Sequence, residues 1–247
     1  MKVLLPERYQ ERYEEVRPEP MGSAGLKFAE DGRVAWDEIW GSFCDLAMAG
    51  GPPHKGRLLA PGTAEEIAGQ PERYREVVDE ICRGIAMVTK LTVGEAEPGW
   101  VRVECFDAAM AGWLLRAITM ENVACRSTGC GLDLPAGPAY RLEKEVKNVI
   151  TVIAKTCHYW RDHMWPAQHR AIGELFAELE RETPLVQPGP ADWVGVECGD
   201  VRSAIRAMRG LVASNVLARR EGTVVLAAGE CSGRAGECVA AAGLRLP

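Results

Sequence analysis

The heptapeptide Gly99–Cys105 (GWVRVEC) returns as Asp192–Cys198 (DWVGVEC), 93 residues further on. The same offset carries Asp107 to Asp200, Arg116 to Arg209, Asn122 to Asn215, Val123 to Val216, Arg126 to Arg219 and Gly129 to Gly222. A one-residue gap then aligns Gly137 with Gly229, and a two-residue gap upstream sets Pro71–Arg75 over Pro166–Arg170. Gly25–Ala29 and Gly131–Pro135 correspond more weakly. A colinear run of matches predicts an internal duplication, which makes both halves bury equivalent faces.

Periodicity supplies the elements. Helical stripes run through Trp36, Ile39, Trp40, Phe43, Cys44, Ala47 and Met48, and through Leu142, Val146, Val149, Ile150, Ile153 and Cys157. A second pair carries Tyr74, Val77, Val78, Ile81, Cys82 and Ile85, then Ile172, Leu175, Phe176 and Leu179. A third carries Met110, Trp113, Leu114, Ala117 and Ile118, then Val201, Ile205, Met208 and Val212. Trp100–Cys105 and Trp193–Cys198 alternate with period two and read as strands, Val101, Val103 and Cys105 on one face and Trp100, Arg102 and Glu104 on the other. Short strands also fit 26–29, 132–135 and 223–227.

Asp107 and Asp200 stand where each third helix needs an N-cap acceptor. Asn122 and Asn215 stand just past its end, where a left-handed residue is tolerated. Thr63 and Glu66 form a capping box. The expected fold is α/β, with α+β as the alternative: a β-α-α-β-α repeat used twice about a pseudo-twofold axis, helices packed on short sheets. The expected divisions are an N-terminal helix and linker (1–24), a first repeat (25–130), a second repeat (131–229) and a Gly/Ala-rich tail (230–247).

With 247 residues the chain has ample material for a core. A net charge of −6 argues against a phosphate-tracking surface, so nucleic acid is not an expected partner. No window approaches a membrane span, and the first residues lack the apolar run of a secretory leader, so a cytoplasmic location is expected. Nine cysteines include no CxxC pair, and without a leader a disulfide framework is not expected. Common nucleotide-binding, metalloprotease and hydrolase motifs are absent as well, so no cofactor is specified.

The residues richest in chemistry are the histidines. The turn after the first helix contains His54 and Lys55 within Gly50–Gly56, and its expected equivalent, 156–164, contains His158, Arg161 and His163, with His169 nearby. If both segments meet, Lys55, Arg161 and His163 would orient a small anion, and His54 or His158 would move a proton. The same residues also suit a helix stop and the edge of a core. A metal chelate is disfavoured: on a helix Cys157 and His158 point about 100° apart, and His158 and His163 about 140°.

A second candidate is the matched arginine set, Arg116/Arg209 and Arg126/Arg219, set beside Glu104 and Glu197 as a polar cleft or as an ion-pair network holding the halves together. Cys231 and Cys238 share a face if the tail is helical. The leading expectation is a protein that binds, and in one version transforms, a small anionic metabolite between two repeats. The alternatives are a non-catalytic homodimeric assembly protein and a thiol- or metal-handling protein.

Overall fold

The computed structural model describes residues 26–38, 57–182, 184–189 and 191–229. His54, Lys55, most of the first helical stripe, Cys231 and Cys238 lie outside the described residues, as do the segments 1–24 and 230–247.

Helix α1 (Ala64–Gly69) opens on the expected capping box: Glu66 N–H donates to Thr63 Oγ1 at 3.2 Å and Thr63 N–H to Glu66 Oε2 at 2.8 Å. Pro71 then starts α2 (Pro71–Thr89), which ends on Lys90 in the left-handed region. Val77, Val78, Ile81 and Ile85 form its buried stripe.

Strands β1 (Thr92–Glu95) and β2 (Trp100–Glu104) follow, then α3 (Ala108–Met120), β3 (Arg126–Thr128) and β4 (Gly131–Pro135). The sheet order is β1-β2-β4-β3, antiparallel throughout. A π-turn over Leu142–Val146 leads into α4 (Lys147–His163), and α5 (Pro166–Glu182) precedes the second sheet. That sheet contains β5 (Trp193–Glu197), β6 (Ala218–Glu221) and β7 (Val224–Ala228) in the order β5-β7-β6, with α6 (Val201–Ala213) between β5 and β6.

The architecture is thus mixed helix and strand with small antiparallel sheets. Within it, β2-α3-β3-β4 and β5-α6-β6-β7 share strand order and register. Trp100 pairs with Pro135 and Glu104 with Gly131; 93 residues on, Trp193 pairs with Ala228 and Glu197 with Val224. Asp107 accepts from Met110 N–H at 2.7 Å and Asp200 from Ser203 N–H at 2.9 Å, so both are N-caps. Asn122 and Asn215 are left-handed, as expected.

Several expectations need correction. β1, β3 and β6 were not foreseen; they are edge strands, where one neighbour suffices and an apolar alternation is unnecessary. Residues 26–29 join neither sheet. They form a small hairpin closed by a bridge between Phe28 and Val34. β4 pairs with both β2 and β3 in the first sheet. The buried face of α6 is Ala204, Ala207, Met208, Leu211 and Val212, so Met208 and Val212 of the expected stripe are in the core while Ile205 is half-buried and Val201 exposed.

One large core gathers α2, α3, α4 and the first sheet, and a smaller one lies between α6 and the second sheet. α4 is the central helix, with Val149, Ile150, Val152, Ile153, Cys157 and Trp160 buried on several sides. It also holds a buried ion pair, Lys155 Nζ to Glu121 Oε1 at 2.6 Å. Gly84 lets α2 approach it: a Cβ there would lie 2.3 Å from Ile150 Cδ1. No described helix is long and apolar enough to cross a membrane.

Candidate functional site

Strand alternation sends Trp100 and Arg102 to the face of β2 opposite the buried Val101 and Val103. Register then sets Asp133 of β4 directly across from Arg102 on one side and from Arg126 of β3 on the other. Adjacent strands bring such residues into contact on one face. Arg102 donates through Nε and Nη2 to the two Asp133 oxygens at 2.7 and 2.8 Å, and Arg126 Nε donates to Oδ2 at 2.9 Å. Asp133 is 2% exposed, a buried carboxylate held by two cations. The Arg126 guanidinium lies over the Trp100 ring, 4.5 Å from its centroid, and Nη2 reaches Glu97 at 2.9 Å.

This face forms one wall of a cavity of about 530 Å³, within the range of small-molecule sites. The second sheet contributes Trp193, and Leu217 lines the space as well; Trp100 and Trp193, the tryptophans of the two similar heptapeptides, therefore border one space. Arg219 stacks on Trp193 at 4.8 Å, as Arg126 does on Trp100. The two sides differ beyond that. Where the first sheet has Arg102 and Asp133, the second has Gly195 and Leu226.

The connector before β5 covers part of the cavity. Leu185–Pro188 occupy the offset of β1, yet they run along the edge of β3. There the Gln187 side chain accepts from Ser127 N–H at 2.6 Å and donates to Ser127 O at 2.9 Å, acting as a one-residue strand partner.

Two of the lining residues also have a polar atom that is buried away from the open space and lacks a hydrogen-bond partner: Thr119 Oγ1 and Trp193 Nε1. Threonines inside helices usually satisfy their hydroxyl on the carbonyl four residues back. Thr89, Thr151 and Thr156 do so, at 2.7, 2.7 and 2.9 Å. Thr119 does not.

The expected histidine site is placed differently. Residues 156–163 are the last turns of α4, because Cys157 and Trp160 extend its buried stripe and Thr156 back-bonds to Val152. His158 and His163 nonetheless meet, Nε2 to Nε2 at 3.0 Å, since His163 ends the helix and Met164 is already extended. His158 Nδ1 lies 2.7 Å from Asp162 Oδ2. Arg161 donates to Thr89 O at 2.8 Å and closes the C-terminus of α2. His169 stacks on Trp160 and bonds its carbonyl. His158, Arg161 and His163 are not among the residues lining the cavity.

The matched arginines also part company. Arg126 serves Asp133 and Glu97, while Arg116 and Arg219 run between the two units: Arg116 donates to Asn215 Oδ1, and Arg219 to Asn122 Oδ1 at 3.3 Å. Their partners are therefore other than Glu104 and Glu197, and Glu197 itself caps Gly199 N–H at 2.9 Å.

Burial pushes Cys82 up to about 11 and Cys105 to about 12, and raises Cys125 and Cys157 further from the thiolate range. Among the described residues no group of three or more His, Cys, Asp and Glu could hold a metal ion.

No family model, curated protein or solved structure matches the chain.

Asp133, Thr119 and Gln187 escaped the sequence reading. Asp133 had a signal, an acidic residue inside the otherwise apolar GLDLP. Thr119 and Gln187 had none, because their roles depend on neighbours distant in the chain.

Proposed function

We propose that the chain binds a small anionic metabolite in the cavity between its two units, and that these units are copies of one β-α-β-β segment. The duplication is supported by the common offset of motif, caps and strand register. The binding site is supported by one arrangement above all: Arg102 and Arg126, held side by side by Asp133, border a cavity walled by Trp100 and Trp193. Asp133 occupies Nε and Nη2 of Arg102, which leaves Nη1 to a ligand. Arg126 is used at Nε and Nη2, with Nη1 in the same condition. The pair thus offers fixed donors to a carboxylate or phosphate.

Intrinsic tryptophan fluorescence, titrated with a panel of carboxylates and phosphate esters, tests this. A saturable change is expected, weakened about tenfold or more in Arg102→Met, the loss of one charge-assisted hydrogen bond. Asp133 keeps Arg126 in that variant. A panel in which no acid produces a saturable change would overturn the proposal.

A further inference from the structure

The charges around the cavity are balanced. Among the described residues, the charged ones lining it are Arg102, Arg126, Glu97 and Asp133, two of each sign. The two carboxylates are not alike. Asp133 is 2% exposed and both its oxygens are taken by the arginines, so it is closed to a ligand. The Glu97 side chain is 75% exposed and gives one oxygen, Oε2, to Arg126 Nη2 at 2.9 Å. Its charge also reaches Arg102, helping to hold that guanidinium protonated. Glu97 Oε1 is left to a ligand, next to two arginine side chains that are 42% and 33% exposed.

Glu97 is also fixed in place. It sits in the turn between β1 and β2, where Trp100 N–H donates to Glu97 O at 2.9 Å and Ala96 N–H to Trp100 O at 3.3 Å. Arg126, which holds the side chain, lies over the Trp100 ring. A plain anion on Arg102 and Arg126 would therefore lie beside a fixed like charge, which weakens its binding. A ligand that also carries a cationic amine meets an opposite charge at both ends. An ammonium group has three donors and no acceptor, and Glu97 Oε1 is an acceptor that suits it.

We infer that the ligand is a zwitterion, an acid that also carries a protonated amine: its carboxylate is held by Arg102 and Arg126, and its ammonium by Glu97. Leu58, Pro61, Trp193 and Leu217 on the uncharged part of the wall suit an aliphatic or aromatic body. The inference rests on the cavity being the binding site. It narrows the acids of that reading to amino acids and makes Glu97 a residue that determines specificity.

Matched probes separate the two claims. Hexanoate and its 2-, 3- and 6-amino derivatives share a carbon chain and differ only in whether and where they carry the amine. 3-Phenylpropionate and phenylalanine form an aromatic pair of the same kind. Isothermal titration calorimetry of the full chain at neutral pH, where the amines are charged, gives the affinity of each.

At least one amino acid is expected to bind about tenfold more tightly than its amine-free counterpart, the worth of one charge-assisted hydrogen bond. Glu97→Gln keeps the shape of an exposed side chain and removes its charge. It should weaken that amino acid about tenfold and strengthen the amine-free acid about twofold or more, because a like charge is gone. Shifts in opposite directions are a result that damage to the fold would not produce. Equal binding of amino acids and amine-free acids, binding confined to phosphate esters, or a preference that Glu97→Gln leaves intact overturns the inference and spares the binding site. Failure of every acid to bind overturns the site itself.

Discussion

Asn122 and Asn215 take the same left-handed backbone conformation, φ 59° and 60°, and each is bonded across to the other unit. Asn122 Nδ2 donates to Arg220 O at 2.7 Å and its Oδ1 accepts from Arg219. Asn215 Oδ1 accepts from Arg116, whose guanidinium lies over Phe176 at 3.8 Å. Two residues that read as helix terminators are therefore also the polar seam between the units.

Substitution at Asn122 separates these roles. Asn122→Gly keeps the left-handed turn and removes the seam bonds, so it should cost about 1–3 kcal/mol. Asn122→Ala should cost about 1–2 kcal/mol more, because a Cβ resists that backbone region. Urea melts of both variants check the order; Ala as stable as Gly would remove the backbone part of the account.

The connector over the cavity is held to β3 through one side-chain amide. Gln187→Ala should expose the Ser127 amide to exchange, raising its hydrogen-exchange rate about fivefold or more, as expected from losing about 1 kcal/mol of hydrogen bonding. Amides of β2 and β4 should be unaffected. An unchanged Ser127 rate would mean that the rest of the connector is sufficient.

A second close contact lies beside the cavity. A Cβ on Gly62 would stand 2.9 Å from Gly137 Cα, a backbone atom that cannot swing away, and 3.0 Å from Cδ of the rigid Pro138 ring. Gly62 N–H also donates to Ala136 O at 2.9 Å. Gly62→Ala should destabilise by roughly 1–3 kcal/mol, the usual cost of overpacking. A thermal midpoint equal to the parent's would show that the crossing can open.

Acid should weaken the start of the central helix slightly. Burial alone would raise the Glu145 carboxyl, but the Arg141 guanidinium and backbone N–H outweigh it and hold the group near a pKa of about 2, against an ordinary 4.5. A lowered value means that the folded state binds this proton less readily than the unfolded chain. The contribution is therefore present above the ordinary value and lost as pH falls from about 4.5 through about 2. Arg141 is largely exposed, so the difference between parent and Glu145→Gln should stay below about 1 kcal/mol. Melts from pH 7 downward should show the two converging in that window; a gap that widens in acid contradicts the sign.

Cys105, Cys125 and Cys157 should behave as core residues. Native protein exposed briefly to iodoacetamide at neutral pH should be modified at the exposed Cys130 before Cys105, Cys125 or Cys157, whose thiols burial keeps protonated. Mass mapping decides this. Fast labelling of Cys125, which borders the cavity, would revive a thiol role.

What the amino-acid order determined by itself is local. Asp107, Asp200, Asn122 and Asn215 mark helix ends through bonds a few residues long, and the alternation in Trp100–Cys105 already assigned Trp100 and Arg102 to one face. Helical stripes were readable for α2 and α3, whose striped residues face the larger core. The stripe of α6 was readable only at Met208 and Val212, because Ala204 and Ala207 at the true contact carry a weak apolar signal.

Which residues meet at the candidate site was decided by tertiary structure. Asp133 is a partner of Arg102 and Arg126 only because β4 lies between β2 and β3, and Trp100 meets the space of Trp193 only because the two sheets adjoin. Leu185–Pro188 have the offset of a strand, yet Gln187 found Ser127, some 60 residues away, as its partner. Periodicity reports which side of an element is apolar. It does not report which other element will cover that side, since that choice is made by packing between residues far apart in the chain.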